Sequence, residues 1–143
     1  MVRDSDKTVF RLDMPATFKH LNVVSGLLTA VLEQVNGLED REAMTYNVIL
    51  AVHEICTNIV EHAYGNAGGR IKLVVSIEEE SGRLVVELSD TGRSFNMAAT
   101  PEPDLDNAPI RGYGLFIVHE LMDEVTYKPG RGLNEWRLVK TLS

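Results

Sequence analysis

Apolar and polar positions run along this chain in two rhythms, one of period two and one near 3.6. Thr8 to Asp13 alternates and predicts a short strand, which Met14-Pro15 ends because proline cannot donate to a ladder. The rhythm then changes. Leu21, Val24, Leu28, Val31, Leu32 and Val35 recur at helical spacing, so a helix opens at Ala16 or Thr17 and stops at Asn36-Gly37. Gly26, in its middle, either weakens this helix or admits a close neighbour.

A second helix is predicted from about Asp40 to Tyr64, ended by Gly65. At ~100° per residue, Val48, Ile49, Val52, Ile55, Cys56, Ile59, Val60 and Ala63 fall in one apolar arc of roughly 140°. Glu54, Asn58 and His62 drift along the border of that arc, each about 40° from the last. That border predicts three half-buried polar side chains. His53 falls on another side and is expected to face solvent.

Period two returns in Ile71 to Ile77 and Arg83 to Ser89, joined as a hairpin through Glu78 to Gly82. Leu73, Val75 and Ile77, then Leu84, Val86 and Leu88, form the inward faces. Asp90-Thr91-Gly92 breaks the second strand. Arg93 to Pro109 has no clear period and holds three prolines, which predicts a long surface loop of the mobile or functional kind. Gly112 to Met122 is a third helix. Val125 to Lys128 and Asn134 to Leu142 are closing strands around a turn at Pro129 to Gly132. Helices interleaved with hairpin-joined strands predict an α+β fold: a two-layer α/β sandwich, with helices on one face of a mostly antiparallel mixed sheet.

Composition changes this picture little. At 143 residues the chain reads as a single domain, 1–143, with enough length to bury a core. It is 44% hydrophobic and 24% charged, as expected for a globular protein. No apolar run approaches the ~20 residues that span a bilayer, and Met1 to Lys7 carries no signal-peptide segment. One cysteine, Cys56, excludes an internal disulfide and a cysteine-based zinc site, and a reducing cytoplasm is the simplest location. The net charge of -7 disfavours direct nucleic-acid binding and anionic membrane surfaces.

Candidate chemistry gathers at three places. Glu54 and Asn58, at i and i+4, point the same way from one helix. An amide oxygen suits Mg²⁺, which takes few protein ligands, and a nearby carboxylate can deprotonate a hydroxyl attacking a γ-phosphate. Taken alone, the pair reads more simply as a helix edge making local hydrogen bonds. His62 could orient either residue; by itself it reads as a histidine satisfied by backbone. Asp90 leaves a strand and could accept the exocyclic amine of adenine, with Gly92 allowing close backbone approach, although Asp-x-Gly is also ordinary turn chemistry. Gly112-Tyr113-Gly114, with Leu115 after it, would expose backbone N–H groups at a helix start, with Arg111 adding a charge. It is not a Walker loop, and it lacks the third glycine of a Rossmann fingerprint.

The run Glu54-Ile-Cys-Thr-Asn58-Ile-Val-Glu-His62-Ala63-Tyr64 resembles the N-box of the GHKL ATP-binding superfamily. Asp90-Thr-Gly92 is similar to its first glycine box, and Gly112-Tyr-Gly114-Leu115 to its second. Within the superfamily, the Glu-x-Cys-Thr-Asn run, the His-Ala-Tyr ending and Leu121-Met-Asp-Glu-Val125 resemble the bacterial anti-sigma-factor serine/threonine kinases. The resemblance covers roughly positions 9 to 142. It implies a Bergerat-type fold with ATP held between the N-box helix, the sheet and a lid. It implies Asn58 on Mg²⁺, Glu54 as general base, Asp90 on adenine, and Gly92, Gly112 and Gly114 against the nucleotide. Two departures stand out: Asp-Thr-Gly-Arg-Ser-Phe lacks the second glycine of many relatives, and Arg111 stands where glycine or serine is common. A short lid argues against a topoisomerase or chaperone relative.

The expected function is therefore an ATP-dependent protein serine/threonine kinase that phosphorylates a STAS-domain antagonist and sequesters a regulatory partner such as a sigma factor. A homodimer is expected from the likeness; the N-terminal strand and the Leu21 to Val35 helix could supply its interface, or the same apolar stripe is simply core. The rival is a non-catalytic ATP-binding switch acting by docking. The catalytic half of a histidine kinase is a third reading, weakened because only Met1 to Asp13 precede the first helix.

Overall fold

The computed structural model describes residues 7–63, 68–93 and 114–142. Among these residues there are five strands: β1 (Lys7–Pro15), β2 (Arg70–Glu78), β3 (Arg83–Asp90), β4 (Glu124–Lys128) and β5 (Asn134–Thr141). Three α-helices accompany them: α1 (Leu21–Glu33), α2 (Arg41–Asn58) and α3 (Gly114–Leu121). The sheet order is β1-β2-β3-β5-β4, and all four pairings are antiparallel.

Register explains the inner face. Leu12, Leu73, Leu88, Trp136 and Tyr127 lie on one rung, and Phe10, Val75, Val86, Leu138 and Val125 on a neighbouring one. Because side chains alternate along each strand, both rungs point to the same side. Leu73, Val75, Val86, Leu88, Trp136 and Leu138 are buried there. They join Val24, Leu28, Val31 and Leu32 of α1 and Val48, Ala51, Val52, Ile55 and Cys56 of α2 in one core cluster. The two-layer α+β sandwich follows from matching these apolar faces. Gly26 has open space where a side chain would stand, so it marks no close approach.

Local signals set the helix ends. Asp40 caps α2 by accepting from the Ala43 N–H at 3.1 Å. Arg41 reaches back to α1, donating to Leu32 O and, at 2.6 Å, to Val35 O. One side chain thereby bonds carbonyls at and just past the C-terminus of α1. His53 is half-buried, contrary to expectation. Its Nε2 lies 2.7 Å from Ser25 Oγ and 3.1 Å from Leu21 O, so it ties α2 to α1. Its position abuts a second helix, which angular position on α2 alone does not reveal.

The second helix also does not continue as α to residue 64. It changes at Ile59–Ala63 into a π-helical turn. Tyr64 and Gly65 lie outside the described residues, as do residues 94–113. The loop expected over Arg93 to Pro109 therefore falls outside them beyond its first residue, and so do Arg111 and Gly112. Among the described residues, no helix is long and apolar enough to cross a membrane.

Candidate functional site

Glu54 and Asn58 occupy the last turn and a half of α2. Each meets a different neighbour. A Cβ placed on Gly114 would come 2.5 Å from Glu54 Oε2. The first residue of α3 thus lies directly against the Glu54 carboxylate, and only a residue without a side chain leaves that carboxylate where it is. One turn further on, Asn58 lines a small cavity with Ile59, Ala63, Asp90, Arg93, Tyr127 and Trp136. The structure brings Asn58 and Asp90 together although 32 positions separate them in sequence.

The amide nitrogen of Asn58 is buried and has no hydrogen-bond partner among the described residues. A buried donor left unmet costs roughly 1–3 kcal/mol. Nothing bonds this nitrogen in place, so half a turn of the amide exchanges it for oxygen without losing a bond that the nitrogen makes. An amide oxygen there is a fit ligand for Mg²⁺. Among the described residues, no group of three or more His, Cys, Asp or Glu stands close enough to hold a metal ion. A Mg²⁺ ion needs only one or two protein groups, with phosphate oxygens and water completing its shell.

Asp90 ends β3 on the inner face, 4% exposed, directly across from Asn134 of β5. Its Oδ1 accepts from the Gly92 N–H and from Asn134 Nδ2, both at 2.9 Å. Gly92 is needed for close approach, since a Cβ there would strike the Ala63 carbonyl. The next residue closes the contact: Arg93 N donates to Ala63 O at 2.6 Å, and the Arg93 guanidinium donates twice to His62 O at 3.3 Å. The turn after β3 is thus strapped to the π turn after α2. Tyr127 and Trp136 pack ring against ring beside this corner, 4.3 Å between centroids.

His62 stands differently from expectation. Its ring is 51% exposed and 3.9 Å from the Glu61 carboxylate. The π turn widens the helix from Ile59 onward, so each residue lags behind its α-helical angle and His62 swings toward solvent. Its backbone, through Arg93, is what serves the site. Leu115 follows Gly114 in α3 and is partly buried against the core. Arg111 and Gly112 remain outside the described residues.

Sequence reasoning missed Asn134, Tyr127 and Trp136. Asn134 had a signal: it occupies the inward phase of a strand, where asparagine is uncommon, and is fully buried. The cavity between Asn58 and Asp90 is only about 10 Å³ as it stands, far below the roughly 300 Å³ of a small ligand cleft. A larger hollow, about 610 Å³, lies instead at the hairpin end of the sheet. It is bordered by Phe10, Val31, Val35, Ile77 and Leu142, far along β3 from Asp90. It contains none of the chemistry assembled above.

Residues 14–140 match the family model of the histidine kinase-like ATPase domain. The chain belongs to that family. Its match spans α2, the π turn, Asp90, α3 and β5, so every described site residue lies within it. The chain is 37% identical over 111 residues to serine-protein kinase RsbW of Halalkalibacterium halodurans, covering 69% of this chain and 67% of that one. It is 27% identical over 131 residues to the RsbW of Bacillus mycoides, covering 85% and 78%. Its fold is similar to a solved structure of the RsbU and RsbW domains of a Mycobacterium tuberculosis protein, with a TM-score of 0.64 and 18% identity. That likeness covers 94% of this chain and 32% of the other, so the chain spans about a third of that protein's solved length. The histidine kinase domain of an Erythrobacter litoralis blue-light activated histidine kinase shares the fold at a TM-score of 0.58 and 18% identity. The GHKL likeness read from the three motifs is thus a true family membership.

Proposed function

We propose that this chain is an ATP-dependent protein serine/threonine kinase of the anti-sigma type. The observation that carries this reading is the last part of α2. There a carboxylate lies against the start of α3, and a carboxamide with an unbonded nitrogen faces the Asp90 cavity. In this reading Glu54 takes a proton from an incoming hydroxyl, and Asn58 holds Mg²⁺. Asp90 offers an acceptor to adenine, and Gly114 and Leu115 begin the helix nearest the phosphates, with Arg111 and Gly112 preceding them. Bound Mg²⁺ would supply charge neutralisation on the phosphate oxygens. The acceptor hydroxyl would arrive on another protein, a STAS-domain antagonist, while a sigma factor would be the partner held when that antagonist is absent. The relatives' printed names, serine-protein kinase, support the kinase part of this reading. A homodimer fits β1, an edge strand with Val9 37% and Phe10 36% exposed.

The test is transfer of labelled γ-phosphate from Mg-ATP to a STAS-domain protein from the same cell. The parent transfers phosphate; Glu54→Gln still binds ATP but transfers about 10²–10⁴-fold more slowly. Equal transfer by both proteins removes Glu54 from the mechanism. The second reading is a non-catalytic switch, and one observation favours it. The cavity at Asn58 is small, so nucleotide entry would enlarge it, and reshaping is how a docking switch signals. Tight ATP binding with no transfer to any retained partner would select it.

A further inference from the structure

We infer that Asn134 is a positioning residue that sets base specificity, by fixing which oxygen of Asp90 is offered to the nucleotide. The inference rests on the nucleotide reading of the site and goes beyond it, because nothing in the motif pattern assigns Asn134 a part.

The argument starts from strand register. Asp90 and Asn134 are direct cross-strand partners on the inner face, one rung beyond Leu88 and Trp136. Asn134 is fully buried and Asp90 nearly so. The Asn134 amide nitrogen donates to Asp90 Oδ1 and to Gly92 O, each at 2.9 Å. Its amide oxygen faces the Gly130 N–H at 3.4 Å. Two acceptors on one side and a donor on the other allow only one orientation of the amide. The amide therefore cannot turn, and neither can the carboxylate it holds.

The consequence lies on the other oxygen. Oδ1 already accepts from Gly92 N and Asn134 Nδ2. An oxygen of a carboxylate has about two lone-pair directions, so Oδ1 is filled. A base entering the cavity beside Asn58 meets Oδ2 as an acceptor in a fixed direction. Such an acceptor selects a ring carrying an exocyclic N–H donor. Without Asn134 the carboxylate could rotate, share its bonds between both oxygens and lose that directionality. Discrimination by a buried, pre-oriented polar group is strong because the wrong ligand leaves it unpaired.

The experiment compares ATP with purine riboside triphosphate, the same nucleotide lacking the exocyclic amine. Binding of each, with Mg²⁺, is measured by calorimetry on the parent and on Asn134→Leu. The parent is expected to prefer ATP by about tenfold or more, the value of one good hydrogen bond. In Asn134→Leu that preference falls to within about threefold. A merely structural role would weaken both nucleotides alike and preserve the ratio, which would overturn the inference. If the variant does not fold, the parent decides by NMR. The Asn134 side-chain amide signal then shifts with ATP and much less with the amine-free nucleotide; equal shifts overturn the inference. A parent that binds both nucleotides equally also overturns it. A parent that binds neither overturns the nucleotide reading itself, an outcome separable from all the others.

Discussion

The Glu54 carboxylate occupies the space in which a side chain at Gly114 would begin. With no Cβ at residue 114, helix α3 lies against that carboxylate without displacing it. The two residues are 60 positions apart, and their contact sets the direction of the proposed base.

Replacing Gly114 with alanine should therefore act on chemistry more than on folding. The new methyl meets Oε2, the flexible end of Glu54, so the carboxylate rotates away while the backbone stays. Phosphoryl transfer should fall by about 10–100-fold, since small misplacements of a reacting group cost that much. Thermal unfolding should change little. Steady-state transfer assays beside melting curves check this; unchanged transfer would show that the position of the carboxylate does not matter.

Asn58→Leu should separate stability from binding. The parent carries a buried amide nitrogen with no partner, and leucine of similar size removes that penalty. The melting temperature should hold or rise by up to about 3 °C. Mg-dependent nucleotide binding should disappear. A variant that melts much earlier, yet binds Mg-ATP normally, would mean that Asn58 is a structural residue and no ligand.

Glu78 supplies a pH dependence remote from the site. Its carboxylate accepts from Arg83 Nη2 at 2.7 Å and Nε at 2.9 Å, with Ser81 Oγ at 3.2 Å and Lys7 Nζ at 3.6 Å. The hydrogen bond from Arg83 leads in holding its carboxyl below the ordinary range, with help from the Arg83 charge, Ser81 and Lys7, and against burial. A depressed folded pKa stabilises the protein above the unfolded value, and that contribution is lost as pH falls through the folded value. Glu78→Gln should thus be less stable than the parent at pH 7. The gap should narrow as the pH drops below about 4.3, the ordinary glutamate value. Urea unfolding at several pH values measures it; a gap that widens in acid would contradict the assignment.

Much of the fold was legible along the chain. Leu73, Val75 and Ile77 against Leu84, Val86 and Leu88 announced the central hairpin, and the observed strands extend it by one or two residues. The spacing of Val24, Leu28, Val31 and Leu32 likewise announced α1, and all four are buried. The site was legible in part. Glu54 and Asn58 were placed by helical spacing alone, and the structure sets them in adjoining contacts. The half-buried position expected for His62 failed because an α-helical angle was carried across a π turn, to whose end the segment after β3 is bonded. His53 was misjudged because Ser25 and Leu21 belong to another helix.

By itself, the sequence determined the elements, their buried faces and the polar groups on the border of α2. These follow from periodicity, which is a property of neighbouring residues. Only the tertiary structure decided that Asp90 faces Asn134, that Gly114 touches Glu54 and that the helix end widens into a π turn. Those relations depend on strand register and on backbone approach between distant segments, where the cost of a single misplaced Cβ or unpaired amide selects one arrangement.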